Sequence, residues 1–240
     1  MQQIFEVPPR WIPESPTVAA FVEVWGTRPL GRFLINSAII GLVVTVLSVT
    51  LAFFAGYGLS RFRFRGASHL AQFILLTQML PEVMLVVPYF VIMAKLGLTN
   101  TYAALIMAYT SFALPFATWM LKGYMDSIPK ELDEAALIDG CSRLAALTRI
   151  VGPVAAPGIA VTSVFSLILS WNHYLFALAL TNREEMFTFS VGLASFMGEY
   201  RTTWNFVMAA SLIGAAPLLF ATALAERSLV RGLSAGAVRG

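Results

Sequence analysis

Charged residues, cysteine and histidine are all scarce in this chain. Of its 240 residues only 12% are charged, which is about half the share usual in a soluble domain. The single cysteine, Cys141, excludes an internal disulfide. The two histidines, His69 and His173, have no cysteine or aspartate near them in the sequence, so we expect no metal site. No Gly-x-x-x-x-Gly-Lys-Ser/Thr phosphate loop occurs, which excludes a nucleotide hydrolase of the P-loop class.

Long apolar runs are abundant instead. The chain is 58% hydrophobic and its mean hydropathy is +0.75, which is more apolar surface than one soluble core can hide. A helix needs about 20 apolar residues to cross the hydrocarbon of a membrane, and five runs without lysine, arginine or aspartate are long enough. They cover residues 33–59, 70–94, 101–121, 154–180 and 204–225. The sequence therefore predicts an all-α integral membrane protein with five spans.

Basic residues between these runs predict the orientation of the spans. Arg61, Arg63 and Arg65 follow the first span directly, so we expect that loop in the cytoplasm. The net charge of +3 then reflects topology and not a nucleic-acid site. By alternation, the segments outside are 1–32, 95–100 and 181–203, and those inside are 122–153 and 226–240. The expected domains are an extracytoplasmic segment, 1–32, and a transmembrane domain, 33–240.

The predicted cytoplasmic loop over residues 122–153 is long, and its pattern is helical. Ser127 is expected to cap one short helix and Ser142 a second. Gly140 can end the first helix in a left-handed conformation, and Gly152-Pro153 is expected to stop the second. The first helix opens with acidic residues, which anionic lipid repels. Docking onto another protein is therefore favoured over lying on the membrane surface.

Within that loop, the spacing of Glu134-Ala135-Ala136, Gly140, Ile150 and Gly152-Pro153 resembles the EAA loop of ABC importer permeases. Gly152 departs from the pattern, because that family usually has leucine there. Shorter matches are similar to the carbohydrate branch, which includes the second membrane subunit of the maltose importer. In chain order they are Pro8–Pro13, Asn36-Ser37, Arg61–Gly66, Gly97–Asn100, Ile128-Pro129, Ile138–Gly140, Trp171-Asn172 and Val230–Gly240.

This resemblance implies the type I importer permease fold and a set of partners. The chain would pair with a second permease subunit, dock an ATP-binding subunit dimer and face an extracytoplasmic solute-binding protein. It would lie among lipids in a bacterial or archaeal cytoplasmic membrane. It would bind no cofactor and would not be an enzyme, since ATP and Mg lie on the partner ATPase. Such subunits usually have six spans, so the first helix of the family is expected to be absent here. The residues that the resemblance assigns to ATPase coupling are Glu134, Ala135, Ala136, Asp139, Gly140, Ile150 and Pro153.

Polar residues inside the predicted spans are candidates for contact with a transported sugar or related polyol. Glu82 lies mid-span beside Pro81, where a proline kink frees backbone carbonyls. Its carboxylate could accept hydrogen bonds from sugar hydroxyls or be held by neighbouring helices, and both interpretations stay open. Trp171, Asn172 and His173 form a second cluster, which could bind a sugar or join helices within the membrane.

The expected function is that of a transmembrane subunit forming half of the pathway of an ATP-driven sugar importer. An ion-coupled secondary transporter with Glu82 as its proton site is the alternative. That class favours internal repeats of hydropathy, which the sequence does not show. A membrane enzyme would need convergent catalytic residues, and a membrane scaffold would leave the cytoplasmic loop unexplained. The transported molecule stays open among mono-, di- and oligosaccharides, polyols and glycerol phosphates.

Overall fold

The computed structural model describes residues 16–198 and 202–237, and these residues are mainly helical. Residues 1–15, with the Pro8–Pro13 motif, lie outside the described residues. So do 199–201 of the predicted outer loop and 238–240 of the predicted tail. The helices are α1 Ala19–Thr27, α2 Leu30–Arg61, α3 Ala67–Thr77, α4 Glu82–Lys95, α5 Tyr102–Asp126, α6 Glu131–Ile138, α7 Arg143–Ala146, α8 Gly152–Asn172, α9 Leu175–Leu180, α10 Phe189–Ala194 and α11 Trp204–Ala237.

Helices of membrane-spanning length and apolarity occur at each of the five predicted runs. Four are continuous, namely Leu30–Arg61, Tyr102–Asp126, Arg143–Asn172 and Trp204–Ala225, and the fifth is the bent pair α3 and α4. Large apolar side chains such as Val46, Met84 and Leu219 are exposed on these helices. Water would disfavour so much exposed apolar surface, whereas lipid solvates it. The prediction of an all-α membrane protein is therefore confirmed.

The predicted span 70–94 is not one helix. The helix α3 ends at Thr77, α4 begins at Glu82, and the two are bent by 90°. Pro81 has extended backbone angles, φ −61° and ψ 124°, and proline also disfavours a helical conformation at the residue before it. The side-chain amide of Gln78 donates from Nε2 to the carbonyl of Phe112 at 3.2 Å, which ties the break to α5. The kink expected from Pro81 is thus a complete break, and Glu82 opens a new helix.

The predicted stop at Gly152-Pro153 is also absent. Helix runs without interruption from Arg143 to Asn172 through a π-helical turn at Leu147–Val151, where the Gly152 N–H donates to the Leu147 carbonyl. In a regular α-helix, the Pro153 ring would clash with the carbonyl four residues earlier. A π turn widens the backbone at that point. The chain therefore accommodates the proline without ending the helix.

The predicted span 154–180 is divided near its outer end. The helix α8 ends at Asn172, and His173 has extended backbone angles, φ −63° and ψ 115°. The short helix α9 then follows. This break turns the His173 region toward the start of α4, because α9 packs against α4.

The central helix is α2, which packs along α5 and against α8. Glycines permit the closest approaches. A Cβ added at Gly56 would lie 3.0 Å from the Lys122 backbone nitrogen, and one at Gly41 would lie 2.9 Å from Cδ1 of Leu167. Without a strong hydrophobic drive between helices in lipid, small residues of this kind are what let helices associate. The helix α2 is thereby clamped between two neighbours along its length.

Candidate functional site

The helix α6, in the loop predicted to be cytoplasmic, begins at Glu131, with Lys130 as its N-cap residue. Ser127 does not cap it. Its Oγ donates to the Tyr124 carbonyl at 2.6 Å and so completes the end of α5. The first turn of α6 carries three acids, Glu131, Asp133 and Glu134, and negative charge is favourable at a helix N-terminus. The helix therefore starts three residues later than its predicted cap would place it.

Gly140 ends α6 as predicted, with φ +85°. Two bonds close this end, since the Gly140 N–H donates to the Leu137 carbonyl at 3.1 Å and the Cys141 N–H to the Ala136 carbonyl at 2.9 Å. That pair of bonds is the Schellman motif, which glycine accommodates without strain. Ser142 caps α7, accepting from the Ala145 N–H at 3.2 Å, also as predicted. The turn between the two short helices is consequently well defined.

The residues assigned to coupling fall into two groups by exposure. Ala136 is buried and Ile150 is half-buried, so they pack within the chain. The others, Glu134, Ala135, Asp139, Gly140 and Pro153, are exposed. Ile138, which the sequence reasoning did not select, is 85% exposed beside them. The outer face of α6 and its C-terminal turn thus combine the carboxylates of Glu134 and Asp139 with the apolar side chain of Ile138. We call these three residues the coupling face.

The inner side of α6 is held by a buried ion pair that the sequence reasoning missed. Arg61 Nε lies 2.8 Å from Asp133 Oδ2, and the two side chains are 5% and 10% exposed. The hydroxyl of Tyr57 donates to Asp133 Oδ1 at 2.7 Å. The only hint was spacing: Asp133 precedes the buried Ala136 by three residues, so both lie on one face of the helix. The sequence reasoning used Arg61 only as a topology signal and as part of the Arg61–Gly66 resemblance.

An open cleft of about 440 Å³ lies where α4 begins and α8 ends. Glu82, Asn172 and His173 line it together with the aromatic residues Phe165 and Tyr174. The break at Pro81 and the break at His173 bring Glu82 and His173 together, with Oε2 and Nδ1 3.8 Å apart. That separation is too long for a hydrogen bond. The cleft presents a half-exposed carboxylate and an amide next to aromatic rings, a combination that suits a ligand bearing hydroxyl groups.

The ring of His173 packs against aromatic side chains. Its ring stacks on Tyr109 with centroids 4.7 Å apart and lies 5.5 Å from the ring of Phe112. Its carbonyl accepts from Ser190 Oγ at 2.8 Å and from the Tyr109 hydroxyl at 3.2 Å. The side chain is 5% exposed, so it forms the wall of the cleft, and Glu82 and Asn172 are the groups that face outward.

Trp171 does not line the cleft. It is buried in a cluster with Val24, Phe33 and Phe189, 6.3 Å from the Phe189 ring by centroid distance. In the sequence it stands beside Asn172, and both contact with a sugar and contact between helices are open interpretations of this cluster. A helical residue points about 100° away from its neighbour, and this rotation turns Trp171 into the core. Trp171 therefore packs between helices, which is the other of the two interpretations, and does not line this cleft.

The N-terminal end of α2 holds the loop that follows α9, which is the predicted outer loop. Asn36 donates from Nδ2 to the carbonyls of Glu185 and Phe187, both at 2.8 Å, and its Oδ1 accepts from the Tyr102 hydroxyl at 2.7 Å. Ser37 Oγ accepts from the Phe189 N–H at 2.7 Å. The sequence reasoning noted Asn36-Ser37 only as part of a resemblance. These two residues in fact fix the outer loop to the transmembrane bundle.

Comparison with known proteins agrees with this architecture. The family model described as "Binding-protein-dependent transport system inner membrane component" matches residues 48–234. The sulfoquinovosyl glycerol transport system permease protein SmoH of Agrobacterium fabrum is 34% identical over 233 residues, 97% of this chain and 82% of SmoH. The trehalose/maltose transport system permease protein MalG of Thermococcus litoralis is 40% identical over 209 residues, 87% of this chain and 75% of MalG.

A solved structure shows the same fold. A bacterial ABC transporter involved in the import of the acidic polysaccharide alginate has a chain that matches with a TM-score of 0.74. The match covers 90% of this chain and 81% of that chain at 22% sequence identity. The helical bundle, the matched family model and the relatives agree with one another. The chain belongs to the family of binding-protein-dependent transport system inner membrane components, as a multi-pass permease subunit of the carbohydrate branch of ABC importers with the type I fold.

Proposed function

We propose that this chain forms half of the translocation pathway of an ATP-driven importer for a sugar or related polyol. We further propose that it docks a cytoplasmic ATPase subunit through the coupling face of α6. The observation that carries the docking proposal is that α6 is anchored on one side by a buried ion pair and exposes carboxylates and Ile138 on the other. SmoH and MalG are named for sulfoquinovosyl glycerol and trehalose/maltose, which supports a carbohydrate as cargo.

The chemistry of the coupling face suits a protein groove better than lipid. Glu134 and Asp139 would be repelled by anionic headgroups, whereas helices that lie on membranes are rich in lysine and arginine. Ile138 is 85% exposed, and a buried apolar side chain within a polar rim is the usual anchor of a protein interface. The partner groove would accordingly offer an apolar pocket with basic residues at its edge. ATP and Mg would be bound by that partner.

The pathway would run past the cleft at Glu82. Met79, Val83 and Met84 are exposed around it, on a surface that a second permease subunit would cover. Glu82 and Asn172 would then accept and donate hydrogen bonds to hydroxyl groups of the cargo, which an extracytoplasmic solute-binding protein delivers. The alternative of an ion-coupled transporter with Glu82 as proton site loses its support, because the chain belongs to the ABC importer permeases.

The docking proposal is tested by expressing the chain with its neighbouring genes and asking whether an ATPase subunit co-purifies with it. Glu134→Arg reverses a charge on the coupling face, and Gly140→Pro removes the left-handed turn with φ +85° that ends α6. We expect both variants to lose the ATPase that wild type retains after detergent solubilisation. Uptake of radiolabelled sugars into proteoliposomes that contain the complete complex and the binding protein then identifies the cargo.

The matched control is Glu184→Arg, the same charge reversal at an exposed carboxylate in the outer loop. It should leave the ATPase bound, because an exposed ion pair such as Arg28–Glu184 contributes little to stability. Retention of the ATPase by Glu134→Arg and Gly140→Pro at the level of this control would refute docking through α6.

A further inference from the structure

The buried pair of Arg61 and Asp133 joins three parts of the chain. Arg61 Nε binds Asp133 on α6 at 2.8 Å, Nη1 donates to the Met125 carbonyl at the end of α5 at 2.9 Å, and Nη2 donates to the Ile128 carbonyl in the linker at 3.0 Å. Each nitrogen of the guanidinium therefore serves a different partner. A planar, charged fork of this kind holds its partners in one orientation.

The carboxylate of Asp133 is equally well satisfied. One oxygen accepts from Arg61 and the other from the Tyr57 hydroxyl at 2.7 Å. Tyr57 and Arg61 are four residues apart on α2, so both contacts come from the same face of that helix. Both of these hydrogen bonds to the Asp133 carboxylate therefore come from α2, although Asp133 lies 72 residues away from Arg61 in the chain.

A second contact joins the next part of the loop to the same place. The guanidinium carbon of Arg143, the first residue of α7, lies 5.1 Å from the centroid of the Phe62 ring. Phe62 in turn meets Tyr57 edge to face, with centroids 6.2 Å apart. Arg61 and Phe62 are consecutive residues at the C-terminal end of α2. They therefore contact α6 and α7, the two short helices on either side of the turn at Gly140.

Helix α6 also packs against α7 and the π-helical turn Leu147–Val151. It has eight residues, too few to be stable alone, and its buried side chains are Asp133 and the small Ala136. A buried ion pair seldom stabilises a protein more than an apolar pair of the same size would, but it can specify one arrangement. The value of Arg61–Asp133 therefore lies in fixing the orientation of α6 relative to α2.

We propose that Arg61 and Asp133 are positioning residues that transmit movement of the coupling face from α6 to α2. This rests on the proposed function, in which α6 docks the ATPase. The helix α2 runs from this pair to Asn36 and Ser37, which hold the outer loop through the carbonyls of Glu185 and Phe187 and the N–H of Phe189. A displacement of α6 is thereby carried along one helix to the extracytoplasmic side.

The test measures sugar uptake per ATP hydrolysed by the complete complex in proteoliposomes. Asp133→Asn removes the charge at constant shape. Arg61→Lys keeps the charge but removes the planar guanidinium that donates to three partners. We expect both complexes to retain their ATPase and a hydrolysis rate close to that of wild type, while uptake per ATP falls about fivefold or more. Tyr57→Phe, which removes one hydrogen bond, should give a smaller loss of the same kind.

The matched control is Lys122→Gln, which removes the exposed pair Lys122–Asp126 at the inner end of α5 and should leave uptake per ATP unchanged. The proposal is overturned by wild-type uptake per ATP in assembled Arg61→Lys and Tyr57→Phe complexes. It is also overturned if the variants lose the ATPase, because the pair then serves docking and not transmission. Should wild type itself hold no ATPase or import no sugar, the proposed function fails first, so the two failures are distinguishable.

Discussion

Single glycines decide how closely the transmembrane helices approach one another. At Gly158 of α8 the ring of Tyr124 from α5 lies directly over the backbone, and an added Cβ would be 2.5 Å from Tyr124 Cγ. At Gly123, the neighbour of Tyr124, an added Cβ would meet nothing within 4 Å. Interiors packed to crystal density transmit such a small volume change to the surrounding helices. A larger residue should therefore be tolerated at Gly123 but not at Gly158, although both glycines lie in helices.

Gly158→Ala is expected to destabilise the protein by about 1–3 kcal/mol, the usual cost of overpacking. The measurement is chemical denaturation in detergent, followed by the loss of helical signal. Gly123→Ala is the control, and it should leave stability unchanged or raise it by up to about 1 kcal/mol, because alanine favours helix over glycine. Equal effects of the two substitutions would contradict the packing of Tyr124 on α8.

At the scale of elements, α2 fixes segments at both of its ends through polar side chains. Asn36 is fully buried, and its three hydrogen bonds engage the outer loop and α5. The loop is held from its other side by Asn100, whose Oδ1 accepts from the N–H groups of Asn182 and Arg183 at 2.7 and 3.1 Å. A segment with almost no regular structure is thus kept in one conformation by bonds from two neighbouring elements.

Asn36→Leu should loosen this outer loop while leaving the spans in place. It leaves the Phe187 carbonyl and the Tyr102 hydroxyl without their partner, each at a cost of about 1–3 kcal/mol if the group stays buried, whereas the Glu185 carbonyl keeps a bond from Arg32 Nε at 3.3 Å. Hydrogen exchange in detergent should show faster exchange of the amides of residues 182–189. Tyr102→Phe removes one of the three bonds and should have a smaller effect. Unchanged exchange in Asn36→Leu would show that the loop is held by its apolar contacts instead.

At the scale of the whole molecule, α2 is long enough to carry a signal across the membrane. Its 32 residues extend about 48 Å at 1.5 Å per residue, against about 30 Å for the hydrocarbon core of a bilayer. Asn36 near one end and Arg61 at the other therefore contact segments on opposite sides. The basic residues after α2 predict that the Arg61 end lies toward the cytoplasm.

Thiol labelling checks this orientation. In intact cells a membrane-impermeant maleimide should not reach the native Cys141, which should react only after the membrane is permeabilised. A Glu184→Cys variant in a Cys141→Ser background should react in intact cells, since Glu184 lies in the outer loop and is exposed. Labelling of both sites from the same side would refute the topology and with it the transmission of movement along α2.

Local chemistry allowed several features to be predicted from the sequence. Hydropathy identified the five apolar runs, and turn chemistry identified the left-handed Gly140 and the Ser142 cap. Prolines were less predictable, because their effect depends on the surrounding helix. Pro81 breaks its span completely, whereas the π turn at Leu147–Val151 accommodates Pro153 within a continuous helix. The position of a proline alone therefore did not distinguish a break from a bulge.

The sequence by itself determined the class of protein, the number of apolar runs and the position of the cytoplasmic turn, because each depends on residues close together in the chain. Only the tertiary structure decided which polar side chains meet. Arg61 and Asp133 lie 72 residues apart and Asn36 and Glu185 lie 149 apart, so helix packing and not local pattern brings them together. The same packing buried Trp171, because the direction in which a side chain points depends on how its helix is rotated against its neighbours. The helix breaks at Pro81 and His173 brought Glu82 within 3.8 Å of His173.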